Sequence, residues 1–192
     1  APPRPPRNRR VTAPGHGGDA LGVVAPGPTE ARITADTAAR IEGRLAATGV
    51  QVWQTHAPTL TGTLSDLQRA ELANATDADV VLSLHVDRAP TSLPHGVATF
   101  YYGRDDTRSS AMGRHLASLI QREIVARTDL TDCRTHPRTW EILRRTRMTA
   151  VRVEMGYLTN ANDAARLGDP AFRDLLAEAV VVAIQRLYLR SE

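Results

Sequence analysis

Lysine is absent from the sequence, so all 24 basic residues are arginines. Against 21 acidic residues they leave a net charge of +3 and a pI near 9.6. An excess this small, spread along the chain, does not mark a polyanion-binding surface. Nucleic-acid binders more often interleave clustered arginines with aromatic rings, and aromatics are only 4% of the residues. No nucleic-acid partner is expected. The single cysteine, Cys133, excludes an internal disulfide. No apolar run approaches the ~18 residues that a membrane span needs. The chain opens on proline and arginine, not on a charged start followed by an apolar core, so no signal peptide is read there.

What is present suits one globular domain: 192 residues, 42% hydrophobic and 23% charged. Residues 1–10 are rich in proline and arginine with nothing to bury, and read as the remnant of a linker. Residues 11–192 are expected to form the folded domain.

Short apolar runs alternate with longer helical periods. Residues 30–47 read as a helix with Ile33, Thr37, Ile41 and Leu45 on one side, Thr29 as N-cap and Gly49 as stop. Further helices are expected over 64–76, 109–127 and 171–189. Strands are expected at Val11-Thr12, 50–54, 80–84, 96–102 and 150–154, with 96–102 near a sheet edge. The run Val80-Val81-Leu82-Ser83-Leu84 suits a parallel strand buried on both faces. Alternation of this kind predicts an α/β fold, a mostly parallel central sheet with helices on both faces.

Three polar residues stand where these strands run out: His16, His85 and Glu154; a fourth, Glu30, opens the first helix. In open α/β sheets ligands bind beyond the carboxyl ends of the strands, so the four can converge on one crevice. Two imidazoles and a carboxylate form a ligand set found at catalytic zinc, with a fourth position open to water. A further carboxylate beside them can take the water's proton and pass one to a leaving amine. Singly, a histidine at a strand end or a glutamate at a helix start is an ordinary surface residue. The joint occurrence carries the reading.

The wording around these residues resembles the catalytic domain of the N-acetylmuramoyl-L-alanine amidases of the amidase 3 type, over nearly all of residues 11–190. Pro14-Gly15-His16-Gly17-Gly18 is similar to the family's opening motif, and Glu30 falls where its glutamate ligand lies. Ala73-Asn74, Ala78-Asp79 and Ser83-Leu84-His85 resemble its central run. Val153-Glu154-Met155-Gly156-Tyr157-Leu158-Thr159-Asn160 resembles its most recognisable signature. The resemblance implies a zinc-exopeptidase-like fold, one Zn2+ per chain held by His16, Glu30 and His85, and Glu154 as catalytic acid/base. It implies hydrolysis of the amide between N-acetylmuramic acid and L-alanine in peptidoglycan, at the cell wall or outside the cell.

Residues 120–140 are similar more specifically to the actinobacterial CwlM-type branch. That implies an alternative: a weakly active or non-catalytic regulator of peptidoglycan synthesis inside the cell, with a protein partner. Ala13 stands where the family usually has Asp, His56 where Arg is usual, Thr149 in place of Pro and Val86 in place of Ala. If that Asp orients His16, its loss costs about 10- to 100-fold in metal affinity or activity. The segment 127–141 is short, which predicts a groove not plugged from within.

Arg144, in a cluster with Arg145 and Arg147, is a candidate grip on stem-peptide carboxylates, against the reading of a solvated face. Asn160 is a candidate substrate contact, against a turn-shaping role. Cys133 and His136 read as loop residues, His95 and His115 as surface residues, and Trp53 and Trp140 as packing.

Overall fold

A computed structural model of the chain describes residues 9–14, 29–55, 64–76, 78–104 and 108–189, with the backbone alone for 9–14 and 189. The strands are β1 (Arg9–Pro14), β2 (Gln51–Gln54), β3 (Val80–Asp87), β4 (Val97–Tyr102), β5 (Asp132–Arg138) and β6 (Thr149–Tyr157). The helices are α1 (Glu30–Ala46), α2 (Asp66–Ala75), α3 (Ala111–Arg127), α4 (Glu141–Arg145), α5 (Ala161–Gly168) and α6 (Pro170–Leu189). One sheet runs in the order β2-β1-β3-β6-β4-β5. Every join is parallel except β4 with β6. The expected mostly parallel α/β fold is therefore present, with one antiparallel step.

Side chains alternate across β3, and the alternation sorts the two faces. Val80, Leu82, Leu84 and Val86 enter the larger core, with Ile33 and Ile41 of α1, Leu116 and Ile120 of α3 and Leu176 and Val180 of α6. Val81 enters a smaller core with Ala70 and Ala73 of α2, Ile142 and Leu143 of α4, and Phe100. Each large side chain fully buried in this way contributes about 1.5–3 kcal/mol relative to exposure.

Capping sets where the helices begin. The Thr29 side chain accepts from the Arg32 N–H at the start of α1, which places Glu30 at the first helical position. Ser65 and Gln68 form a reciprocal capping box on α2. Ser110 accepts from the Gly113 N–H on α3. After α1, Gly49 takes φ +80° as the chain turns toward β2.

Several boundaries differ from the sequence reading. β1 extends from Arg9 to Pro14, beginning inside the segment read as linker; residues 1–8 lie outside the described residues. Only Val11 and Thr12 signal a strand locally, and the rest of β1 is drawn in by pairing with β2 and β3. β3 and β6 both run past the expected ends, so His85 and Glu154 sit within strands, not at loop starts. Cys133 and His136 lie on β5, an edge strand without a periodic apolar signal, where a loop was expected. Its charges and Pro137 are usual at an edge, because they discourage further pairing. The short helices α4 and α5 also escaped the reading.

Candidate functional site

β3 and β6 lie side by side with His85 in register with Glu154 and Ser83 in register with Arg152. These four side chains share the sheet face that carries Val81 and Phe100, so the pleat alone brings two predicted site residues together. Glu30 arrives from the start of α1. Its Oε1 lies 3.1 Å from Nδ1 of His85 and accepts from the Val86 N–H at 3.3 Å. The other ring nitrogen of His85, Nε2, lies 3.1 Å from Oγ of Ser83. All four of Glu30, Ser83, His85 and Glu154 are buried. Ser83 was not singled out from the sequence as a site residue; its position two before His85 on a strand was the available signal.

Glu154 is unevenly partnered. Its Oε1 accepts from Nε of Arg152 at 2.7 Å, and Nη2 of the same guanidinium lies 2.7 Å from that oxygen as an ion-pair contact. Its Oε2 is buried and has no hydrogen-bond partner among the described residues. Burial pushes the carboxyl pKa up, and the charges of Arg152 and His85 pull against it without overcoming it.

Beyond Glu154 the strand continues through an irregularity: His85 pairs with Glu154, whereas Asp87 pairs with Tyr157. Gly156 occupies the extra stretch with φ +142°, where side chains are strained. Asp163, from α5, closes the bulge by accepting on Oδ2 from the N–H groups of Gly96 and Tyr157.

His16 lies outside the described residues. The strand before it ends at Pro14, whose register partner is Leu84, next to His85. His56 also lies outside them. Among the described residues, no three histidine, cysteine or acidic side chains gather to hold a metal.

The candidate substrate residues fare differently. Asn160 is the N-cap of α5: its amide oxygen accepts from the N–H groups of Asn162 and Asp163, and its amide nitrogen donates to the Ser92 carbonyl. Arg144 is exposed, 3.8 Å from Glu141, and lines a pocket of about 540 Å3 with Tyr102, Arg104 and Thr139. Because β4 runs antiparallel to β6, Tyr102 lies toward the start of β6, and the structure does not bring Arg144 to Glu154. His136 bonds the Cys133 carbonyl and Cys133 the His95 carbonyl, so these two form no nucleophile pair. Trp140 packs on Phe100, ring centroids 4.8 Å apart. No described helix is long and apolar enough to cross a membrane.

The chain is 44% identical to N-acetylmuramoyl-L-alanine amidase CwlM of Mycobacterium tuberculosis, over 94% of this chain and 45% of that protein. It is 30% identical to N-acetylmuramoyl-L-alanine amidase LytC of Bacillus subtilis, over 87% of this chain and 33% of that protein. It thus spans less than half the length of either relative. The crystal structure of N-acetylmuramoyl-L-alanine amidase from Clostridium difficile 630 superposes with a TM-score of 0.86 at 26% identity, covering 96% of this chain and 97% of that one. Residues 11–186 match the family of these enzymes. The chain belongs to the N-acetylmuramoyl-L-alanine amidase family.

Proposed function

We propose that this chain is a zinc-dependent hydrolase of the amide bond between N-acetylmuramic acid and L-alanine in peptidoglycan. One observation carries the reading: Glu154, whose buried Oε2 has no hydrogen-bond partner among the described residues, stands in register with His85, which abuts Glu30.

The residues fit a zinc ion. At ordinary Zn–N and Zn–O lengths two ligands on one tetrahedral ion stand roughly 3.3 Å apart; Glu30 Oε1 and His85 Nδ1 are 3.1 Å apart. Glu30, His85 and His16, two residues along the sequence from the end of β1, would hold the metal. Ser83, on the remaining ring nitrogen, would fix the tautomer and orientation of His85. When bound, zinc supplies a water of pKa about 7 and Lewis acidity at the lactyl carbonyl.

Hydrolysis breaks the carbonyl C–N bond and forms a C–O bond to water. Glu154 Oε2 takes the water's proton and returns it to the departing L-alanine nitrogen. A carboxyl raised by burial suits both transfers, because it can hold the proton between them. Asn160, as the α5 cap, positions the segment after Glu154; a grip by Arg144 on stem-peptide carboxylates is confined to groups remote from the cleaved bond.

A second reading, an amidase fold that binds its ligand without turnover, is favoured by Ala13. It pairs with Ser83, beside the site, and alanine offers no acceptor to orient His16. One experiment separates the two: release of L-alanyl peptide from purified muropeptide with added zinc, with chelator, and with Glu154→Ala. Zinc-dependent release lost in Glu154→Ala supports the hydrolase. Zinc binding without release would leave the second reading.

A further inference from the structure

Among the described residues one side chain, that of Arg152, hydrogen-bonds Glu154, and it is itself seated on a wall of rings. Arg152 precedes Glu154 by two residues on β6 and therefore shares its face. Two of its nitrogens, Nε and Nη2, converge on the same oxygen, Oε1, each at 2.7 Å. Its guanidinium carbon lies 4.6 Å from the ring centroid of Trp140. Trp140 packs on Phe100, and Phe100 is the register partner of Arg152 on β4. A second guanidinium, Arg138, stands 5.4 Å from the Phe100 ring centroid and 5.9 Å from that of Trp140.

An arginine that only compensated a buried carboxylate would gain most from the fork arrangement, one N–H on each oxygen. Here Nε donates to Oε1 and Nη2 stands against the same oxygen, and Oε2 is left buried without a hydrogen-bond partner among the described residues, an arrangement that is costly for stability. The terminal torsion of a free glutamate is broad and its two oxygens are equivalent. Pinning one oxygen removes that equivalence and presents the other in a single place, which is the positional requirement of proton transfer.

We propose that Arg152, seated on Trp140, is a positioning residue that pins Oε1 of Glu154 so that Oε2 alone faces the reacting groups. This rests on the reading of Glu154 as the acid/base. The hydrogen bond of Arg152 is to Oε1 of Glu154, so its loss is expected to alter proton transfer and to leave metal binding intact.

The test uses the full chain as wild type, Glu154→Gln, Arg152→Leu, Arg152→Lys and Trp140→Leu. Muropeptide turnover is measured with zinc, zinc affinity by titration, and the Glu154 carboxylate by 13C NMR of the metal-free protein, its resonance identified by its loss in Glu154→Gln. Arg152→Leu lowers kcat about 10- to 100-fold, as losses of such supporting contacts do. KM and zinc affinity stay within about twofold, the split expected when an interaction serves only the chemical step. The Glu154 resonance moves, Arg152→Lys restores part of kcat, and Trp140→Leu falls between; the last two carry the test should Arg152→Leu not fold. A kcat within twofold of wild type in Arg152→Leu, no rescue by lysine, or an unmoved resonance overturns the proposal. An inactive wild type, or an active Glu154→Gln, instead sinks the reading of the site itself, and the positioning role with it.

Discussion

Oε1 of Glu30 and Nδ1 of His85 lie 3.1 Å apart, although 55 residues separate them in the chain. Glu30 is the first residue of α1 and His85 lies on β3, so the distance is set by how α1 packs on the sheet. If these two buried groups ligate zinc as proposed, the metal stabilises the fold. At a hundredfold excess over Kd, the gain is about 2.7 kcal/mol for a ligand that binds only the native state. Calorimetry should show zinc raising the melting temperature, chelator reversing it, and His85→Ala showing no rise. A zinc response surviving in His85→Ala would remove His85 from the site.

Glu154→Gln should stabilise the metal-free protein at neutral pH while abolishing turnover. Burial raises the Glu154 pKa above its ordinary 4.5, so the folded state holds the proton more tightly than the unfolded one. Wild-type stability contributed by this group therefore falls as pH rises from the ordinary carboxyl range through the raised pKa. Glutamine does not titrate. Its melting-temperature advantage should grow across that window and be smallest below pH 4. An advantage that does not change with pH would show that the buried carboxylate is not its source.

Glu123 should show the opposite dependence. Burial pushes its pKa up, but hydrogen bonds from Arg127 and Arg122 and the charge of Arg186 outweigh it, and the carboxyl lies below its ordinary range. That contribution is present above the ordinary pKa and is lost as pH falls through the depressed one. Glu123→Gln should cost about 1.5–3 kcal/mol at pH 7, the range for hydrogen bonds to a charged group. The cost should shrink toward zero in acid. Urea unfolding at pH 7 and pH 3 checks both values.

Gly156→Ala should be costly out of proportion to one methyl group. A Cβ there would lie 3.2 Å from both Asp163 Oδ2 and Leu167 Cδ1, on a backbone at φ +142°. Strain of this kind amounts to about 1–3 kcal/mol. Because the bulge follows Glu154 directly, kcat should fall as well. Denaturant unfolding and turnover measured on the same preparation test this; a variant as stable as wild type would show that the bulge relaxes freely.

Local chemistry by itself determined much of this protein. The helical period of Ile33, Thr37, Ile41 and Leu45 and the apolar run before His85 specify which residues seek a core, whatever surrounds them. The signature running from Glu154 to Asn160 was legible as wording, and the structure supplies its physical content: a buried carboxylate, a glycine bulge and a helix cap. β5 and α5 were not legible. β5 is half-exposed at a sheet edge, and α5 has eight residues, held by the Asn160 cap and by Asp163. Tertiary structure alone decided the antiparallel join of β4 to β6, the register that sets His85 against Glu154, and the seating of Arg152 on Trp140. Propensity and periodicity act over a few residues along the chain. Register and orientation are settled between segments far apart in sequence, where only the competition among whole packed arrangements selects one.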